Sequence, residues 1–296
     1  MFILSSLTFG FKLALASKRG NVILGNMNAP TRIYLSPHLD DVVLSCGGTL
    51  YTQSQHGQKV QVVTFFAGSP PRTDLTPFTK ELQERWGNAK EPMAIRRQED
   101  RAALTILGAQ PCHLSFLDCV YRQHPSTGQP LYPTEESIFG EIHPSEDLFH
   151  YTLCQTFLET VSPSTESTIY APLGAGQHVD HILIYRVALL LLQQGFQVLF
   201  YEDYPYAAES QETAQALQRW PRECWVSQLV SLQPDALEAK IAAIARYASQ
   251  ISTFWSDLSE MRQALYQYTL AVGGGRYAER FWELTLPRSR AEASPS

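Results

Sequence analysis

The chain has 296 residues, 44% of them hydrophobic and 18% charged, a balance that supports a buried core and excludes a disordered or fibrous protein. Twenty-three basic side chains stand against 29 acidic ones, for a net charge of -6. No overall positive field is on offer to phosphates, so a general nucleic-acid binder is excluded.

Met1 to Ala16 is apolar enough to imitate a secretory signal, but no Lys or Arg precedes the apolar run and Lys12 interrupts it. A second methionine, Met27, stands just before the first convincing strand. We therefore read residues 1–30 as an extension outside the fold, 31–285 as a single domain, and 286–296 as a frayed tail. From Thr31 onward, β-branched and apolar runs alternate with amphipathic patterns, the sign of βαβ units. Strands are predicted over 31–36, 59–67, 112–117, 167–171 and 197–201. Helices are predicted between them over about 41–55, 92–107, 146–161 and 179–194, each closed by a glycine or turn cluster such as Gly57, Gly108 or Gly195. The fold class that follows is α/β, a Rossmann-like, mainly parallel sheet with helices on both faces. After Tyr206 the pattern turns mostly helical, over 234–254 and 257–272, with a short segment over 276–284, so a helical C-terminal part completes the domain.

Two proline-rich stretches, 68–91 and 119–145, break this rhythm. Both follow strand ends, where open α/β sheets place their ligands, and they are expected to be loops that wall a substrate site. The five cysteines form no C-x-x-C pair, which fits a reducing, cytoplasmic compartment. The longest apolar tract, Val187 to Leu192, is far short of a membrane span, so no integral membrane association is expected.

Chemistry concentrates at two strand ends. After the first strand the chain reads Ser36-Pro37-His38-Leu39-Asp40-Asp41, three metal donors in four residues. Helix capping is the plain alternative for the two aspartates. After the fourth strand, Gly174 and Gly176 lead into His178-Val179-Asp180-His181, where the histidines at i and i+3 share a helical face and Asp180 looks elsewhere. In a parallel sheet both clusters lie at one edge and meet across about 140 residues of chain. Together they supply His, Asp and His, a three-ligand zinc set with a fourth position for water.

These paired motifs resemble the LmbE-like, or PIG-L, zinc N-deacetylases. The resemblance extends to Arg96-Arg97-Gln98-Glu99-Asp100, to Tyr201-Glu202-Asp203-Tyr204-Pro205-Tyr206 and to Lys240-Ile241-Ala242-Ala243-Ile244, and covers most of residues 31–285. It implies that His38, Asp41 and His181 bind Zn2+ and that Asp40 is the general base. It further implies that His178, protonated, stabilises the oxyanion with Asp180 orienting it. Asp118 and Arg97 are the expected substrate-binding residues. The implied reaction removes an N-acyl group, most often acetyl, from a small amino-sugar conjugate such as one of N-acetylglucosamine. Fe2+ also suits two imidazoles and a carboxylate. The chain departs from the family motif in having Leu39, not proline, after the first histidine. A sugar-binding or nucleotide-sugar-binding module without turnover is the alternative on the same fold. His56, His113, His124, His143 and His150 lack partner donors at ligand spacing and read as surface or structural residues; Cys46 reads as a small packing residue.

Overall fold

Alternation along the first strand sets the architecture. In β1 (Arg32–Ser36), Ile33 and Leu35 face one side of the sheet and Tyr34 the other, and all three are buried; a strand covered on both faces belongs in a parallel sheet with helices above and below. The computed structural model describes residues 31–70, 75–87 and 90–286. The expected amino-terminal extension and nearly all of the frayed tail lie outside the described residues.

Helix α1 (Asp41–Gln55) leads from β1 to β2 (Val60–Thr64). Next come α2 (Pro77–Arg85), α3 (Pro92–Leu107) and β3 (Gln110–His113). A short α4 (Glu135–Ile138) and α5 (Phe149–Val161) precede β4 (Thr168–Pro172). Helix α6 (Val179–Gln193) joins β4 to β5 (Gln197–Tyr201). The C-terminal part holds α7 (Ser210–Leu217), β6 (Trp225–Ser231), α8 (Pro234–Ile244), α9 (Ala248–Phe254), α10 (Leu258–Val272) and β7 (Ala278–Leu284).

The seven strands form one sheet in the order β3-β2-β1-β4-β5-β7-β6. Strands β1 to β5 run parallel, while β7 pairs antiparallel with β5 and with β6. The connections leave β1 in one direction toward β2 and β3, and resume on its other side with β4. Strands β1 and β4 therefore flank the topological switch point, where the loops part and open α/β sheets take ligands.

Ile33, Leu35, Phe65 and Ile169 pack under α5 and α6 on one face. Tyr34, Val62 and Tyr201 pack under α1, α3, α8 and α10 on the other. Tyr34 and Tyr170, register partners in β1 and β4, stack at 4.2 Å and share Gln53 as hydrogen-bond partner. A third cluster, including Leu39, Trp86, Val120, Tyr132, Ile138 and Val179, ties the loops together above the strand ends.

The structure departs from the sequence reading in specific places. The stretch 68–91, expected to be a loop, contains α2, whose start carries its own signal: Thr76 caps the Thr79 N–H and Pro77 occupies the first turn. Strand β6 lies in a region read as helical; it is an edge strand with mostly exposed side chains, so it carries no alternation between core and solvent. The expected helix over 234–254 is two helices, α8 and α9, separated at Tyr247, whose hydroxyl donates to Asp100 Oδ1 at 2.7 Å.

Beneath α1 lies a buried ion pair. Lys240 Nζ is 2.7 Å from Glu279 Oε1, and the Glu279 carboxylate also accepts from the Gly48 N–H, the Thr49 N–H and the Thr49 hydroxyl. Replacing Glu279 leaves the buried Lys240 ammonium with the Ser45 carbonyl, at 3.0 Å, and no counter-charge. Glu279→Ala is expected to lower stability by about 3–5 kcal/mol, measured by urea denaturation; a loss below about 1 kcal/mol would contradict this reading.

Candidate functional site

The turn after β1 is built by Ser36, whose hydroxyl donates to the His38 carbonyl at 2.7 Å and accepts from the Val42 N–H at 3.3 Å. It brings Asp41 into the first turn of α1, where its Oδ2 accepts from the His38 N–H at 2.7 Å. The loop after β4 needs glycine. Gly174 and Gly176 have φ of 77° and 78°, and a Cβ on Gly176 would come within 2.5 Å of the Tyr206 ring. His178 then caps α6, its Nδ1 accepting from the Asp180 N–H at 3.2 Å.

The two loops converge on one carboxylate oxygen. Asp41 Oδ2 lies 3.2 Å from His38 Nδ1 and 3.3 Å from His181 Nε2. Separations of about 3.3 Å are those between ligand atoms placed around a tetrahedral ion at bonds of about 2.0 Å. The far nitrogen of each imidazole meets a second buried carboxylate: His38 Nε2 is 3.0 Å from Asp180 Oδ2, and His181 Nδ1 is 2.7 Å from Asp203 Oδ1. Both rings thus have the outer carboxylate partner typical of metal-ligating histidines, which sets the tautomer and aims the inner nitrogen.

Electrostatics match this arrangement. Burial opposes charge on His38, yet Asp118 and Asp41 hold it well above the ordinary histidine value. Burial likewise opposes charge on His181, and Asp41 and Asp203 raise it to about 9. Burial would raise Asp41, but His181 and His38 hold it well below the usual carboxylate range. Carboxylates that stabilise two imidazolium charges are equally suited to a divalent cation. The ring nitrogens of His38, His178 and His181 also lie within 4.8 Å of one another. His178 is the less suited donor, because its Nδ1 is engaged as the helix cap and its proton therefore sits on Nε2.

Asp40, next to Asp41, is 5% exposed and touches neither imidazole at hydrogen-bond distance; Arg96 Nη2 approaches its Oδ1 at 3.5 Å. Burial pushes Asp40 up to about 7, against the pull of Arg96. Both groups line a cavity of about 250 Å³ together with His38, Asp41, Asp118, His178 and Tyr206.

One expected role needs correction. Asp180 does not orient His178 through its carboxylate, which serves His38, the Cys119 N–H at 3.0 Å and Arg122 at 2.6 Å; toward His178 it presents its backbone N–H. Burial, with His38 and His181 beside it, pushes the His178 pKa well below the ordinary histidine value. Its Nε2 faces Cys119 Sγ at 3.9 Å.

Arg97, expected to bind substrate, instead braces the loop after β2, donating to the Ala67 carbonyl at 2.6 Å and the Ser69 hydroxyl at 3.0 Å. Its neighbour Arg96 is the guanidinium on the cavity wall, lying over the Trp86 ring at 4.8 Å. Asp118 lines the cavity, 3.7 Å from His38 Nε2, and also caps the turn at Val120. Among the other histidines, His113 is structural, 2.7 Å from Asp100. Cys46, on the buried side of α1, packs in the core.

Arg122 escaped the sequence reading altogether. It bridges Asp180 to Glu146, with Nε 2.6 Å from Glu146 Oε1, and lies over the rings of Phe66, Tyr132 and Phe149. Tyr132 adds a hydrogen bond to Glu146 at 2.8 Å. This network pins the long loop after β3 to the residue that holds His38.

With this geometry in hand, comparison with known proteins is decisive. The family model for PIG-L, GlcNAc-PI de-N-acetylase, matches residues 33–192, more than half of the chain. The chain belongs to the PIG-L family. Within that family it is similar to 2'-N-acetylparomamine deacetylase of Niallia circulans, 30% identical over 252 residues, 80% of this chain and 86% of that protein. It is 28% identical to the Streptomyces fradiae 2'-N-acetylparomamine deacetylase over 182 residues, 60% of this chain and 58% of that one. The zinc-inhibited form of a teicoplanin deacetylase superposes with a TM-score of 0.74 at 25% identity, covering 88% of this chain and 99% of that one. The PIG-L fold is thus present as a mostly parallel seven-stranded sheet, and the chain is a deacetylase of this family. No described helix is long and apolar enough to cross a membrane.

Proposed function

We propose that this PIG-L protein is a metal-dependent hydrolase that removes an acetyl group from the nitrogen of an amino-sugar conjugate. The observation that carries the reading is the meeting of His38 Nδ1 and His181 Nε2 on Asp41 Oδ2, with Asp40 beside it at the cavity. The named substrates of the relatives, acetylparomamine and teicoplanin, support the amino-sugar class.

Zn2+ held by His38, Asp41 and His181 would polarise the amide carbonyl and lower the pKa of water toward about 7. Asp40, buried and not engaged by either imidazole, takes the proton from the attacking water and passes it to the departing amine. His178 donates from its Nε2 to the former carbonyl oxygen as negative charge develops there. Arg96 keeps Asp40 placed, and Asp118 and Arg96 contact the sugar. Fe2+ is compatible with the same donors, and elemental analysis decides between the ions.

Asp203 and Asp180 act through the imidazoles they hold. Asp203→Ala frees the His181 ring, and the expected result is a ~10–100-fold weaker metal affinity, measured by chelator competition on folded protein. Unchanged affinity would remove Asp203 from the site.

The function itself is tested by acetate release from a panel of N-acetylated amino sugars, with N-acetylated amino acids as controls. Release of acetate and free amine in equal amounts, confined to the amino sugars, is expected. Release from the amino acids alone, or from neither set by metal-replete protein, would overturn the proposal.

A further inference from the structure

The cavity continues away from the donors into a wall that the reaction does not use. Phe78, Leu82 and Trp86 come from α2 and the turn after it, Phe254 from the end of α9, and Ile138 and Phe139 from α4 and its end. Helix α2 packs against α9 and is fastened to the floor by the Thr79 hydroxyl, which donates to the Val120 carbonyl at 3.0 Å. The wall is therefore held in place by packing and hydrogen bonds. Phe139 is 38% exposed although it lies edge-on to His178 at 5.5 Å and to Tyr206 at 5.8 Å. An exposed aromatic at the rim of a cavity offers its face to whatever enters.

The charged residues of the lining cluster at the donors rather than on this wall. Apart from the aspartates around the donors, the lining carries Glu135 against Arg85 and Arg96. Arg96 faces Asp40 and Arg85 faces Glu81, each at 3.5 Å.

Resting on the deacetylase reading above, we infer that Phe78, Leu82, Trp86, Ile138, Phe139 and Phe254 form an apolar subsite that takes a hydrophobic substituent on the amino sugar. The preferred substrate class is an amino sugar carrying an alkyl or aryl group. The same chemistry can enter from either side of the sugar, as the group attached to the anomeric oxygen or as a lengthened N-acyl chain.

The test uses the metal-loaded full chain and two series of ligands. One is N-acetylglucosamine bearing methyl to octyl groups at the anomeric oxygen; the other is glucosamine with N-acyl chains of two to eight carbons. In the series that reaches the subsite, kcat/KM is expected to rise about threefold per methylene until the wall is covered. A rise in the first series alone assigns the subsite to the carrier, and in the second alone to the acyl chain. Calorimetric binding of methyl to octyl glucosides and of the N-acyl series requires no turnover, so it reports on the subsite even where the deacetylase reading fails.

Leu82→Gln and Phe254→Gln, both at half-buried positions, should flatten the rise while leaving turnover of the shortest ligand and the thermal midpoint close to wild type. Flat binding and flat kcat/KM in both series would overturn the inference. So would a rise of the same slope in both variants.

Discussion

Asp40→Asn is expected to retain its metal and to lose activity by ~10²–10⁴-fold. The substitution preserves size but removes the base. Asp40 is 5% exposed and lines the cavity, and neither imidazole lies within hydrogen-bond distance of it, so metal occupancy should not depend on it. Asp41, one residue later, is directed at both imidazoles instead. Adjacent carboxylates thus divide the work, one holding the ion and one moving the proton. The readouts are acetate release and metal per chain on the same preparation. An Asp40→Asn variant as active as wild type would remove the proposed proton path. The same variant separates a catalyst from a non-catalytic sugar-binding module, since a module has no rate for Asp40 to support.

His181→Ala is expected to lose metal and activity together, unlike Asp40→Asn. Its ring connects the Asp41 carboxylate to Asp203, which in turn accepts from the Gly174 N–H at 2.8 Å and the Ala175 N–H at 3.1 Å. One side chain therefore joins three loops. With the imidazole gone, His38 and Asp41 alone offer too few donors for a stable site. Metal retained at about one equivalent after dialysis against a mild chelator would place the ligands elsewhere, with the His38, His178 and His181 grouping as the first set to re-examine.

Much of this site is legible in the sequence because of where its motifs stand. His38-Leu39-Asp40-Asp41 and His178-Val179-Asp180-His181 each follow a buried strand and open a helix, and parallel strands carry such loops to one edge. What adjacency alone cannot say is which of two neighbours faces the site. Arg96 and Arg97 stand about 100° apart on α3, and only packing against Trp86 and the Ala67 carbonyl decides that Arg96 turns to the cavity. Asp40 and Asp41 pose the same problem, and there the family resemblance, not spacing, distinguished the roles.

Partners that come from far along the chain were out of reach for a different reason. Arg122 lies in a proline-rich stretch without periodicity, and its value comes from Asp180, 58 residues away, and Glu146, 24 residues away. A lone arginine in a loop carries no local sign of that. Residues matched to the family motif also brought a role with them that this structure redistributes. The Asp180 carboxylate serves His38 and Arg122, so His178 relies on its cap with the Asp180 N–H. The fold shows the same division: strands covered on both faces announce themselves as apolar runs, whereas the edge strand β6, with Val226 and Leu229 exposed, has no buried face to write into its sequence.

The most direct test of the account is a metal titration into chelator-stripped protein, followed at each step by acetate release from an N-acetylated amino sugar. Activity that rises linearly and reaches its plateau at one equivalent of Zn2+ or Fe2+ per chain is the expected result. Full activity in stripped protein, or none after one equivalent has bound, would contradict the assignment of His38, Asp41 and His181 to a catalytic ion.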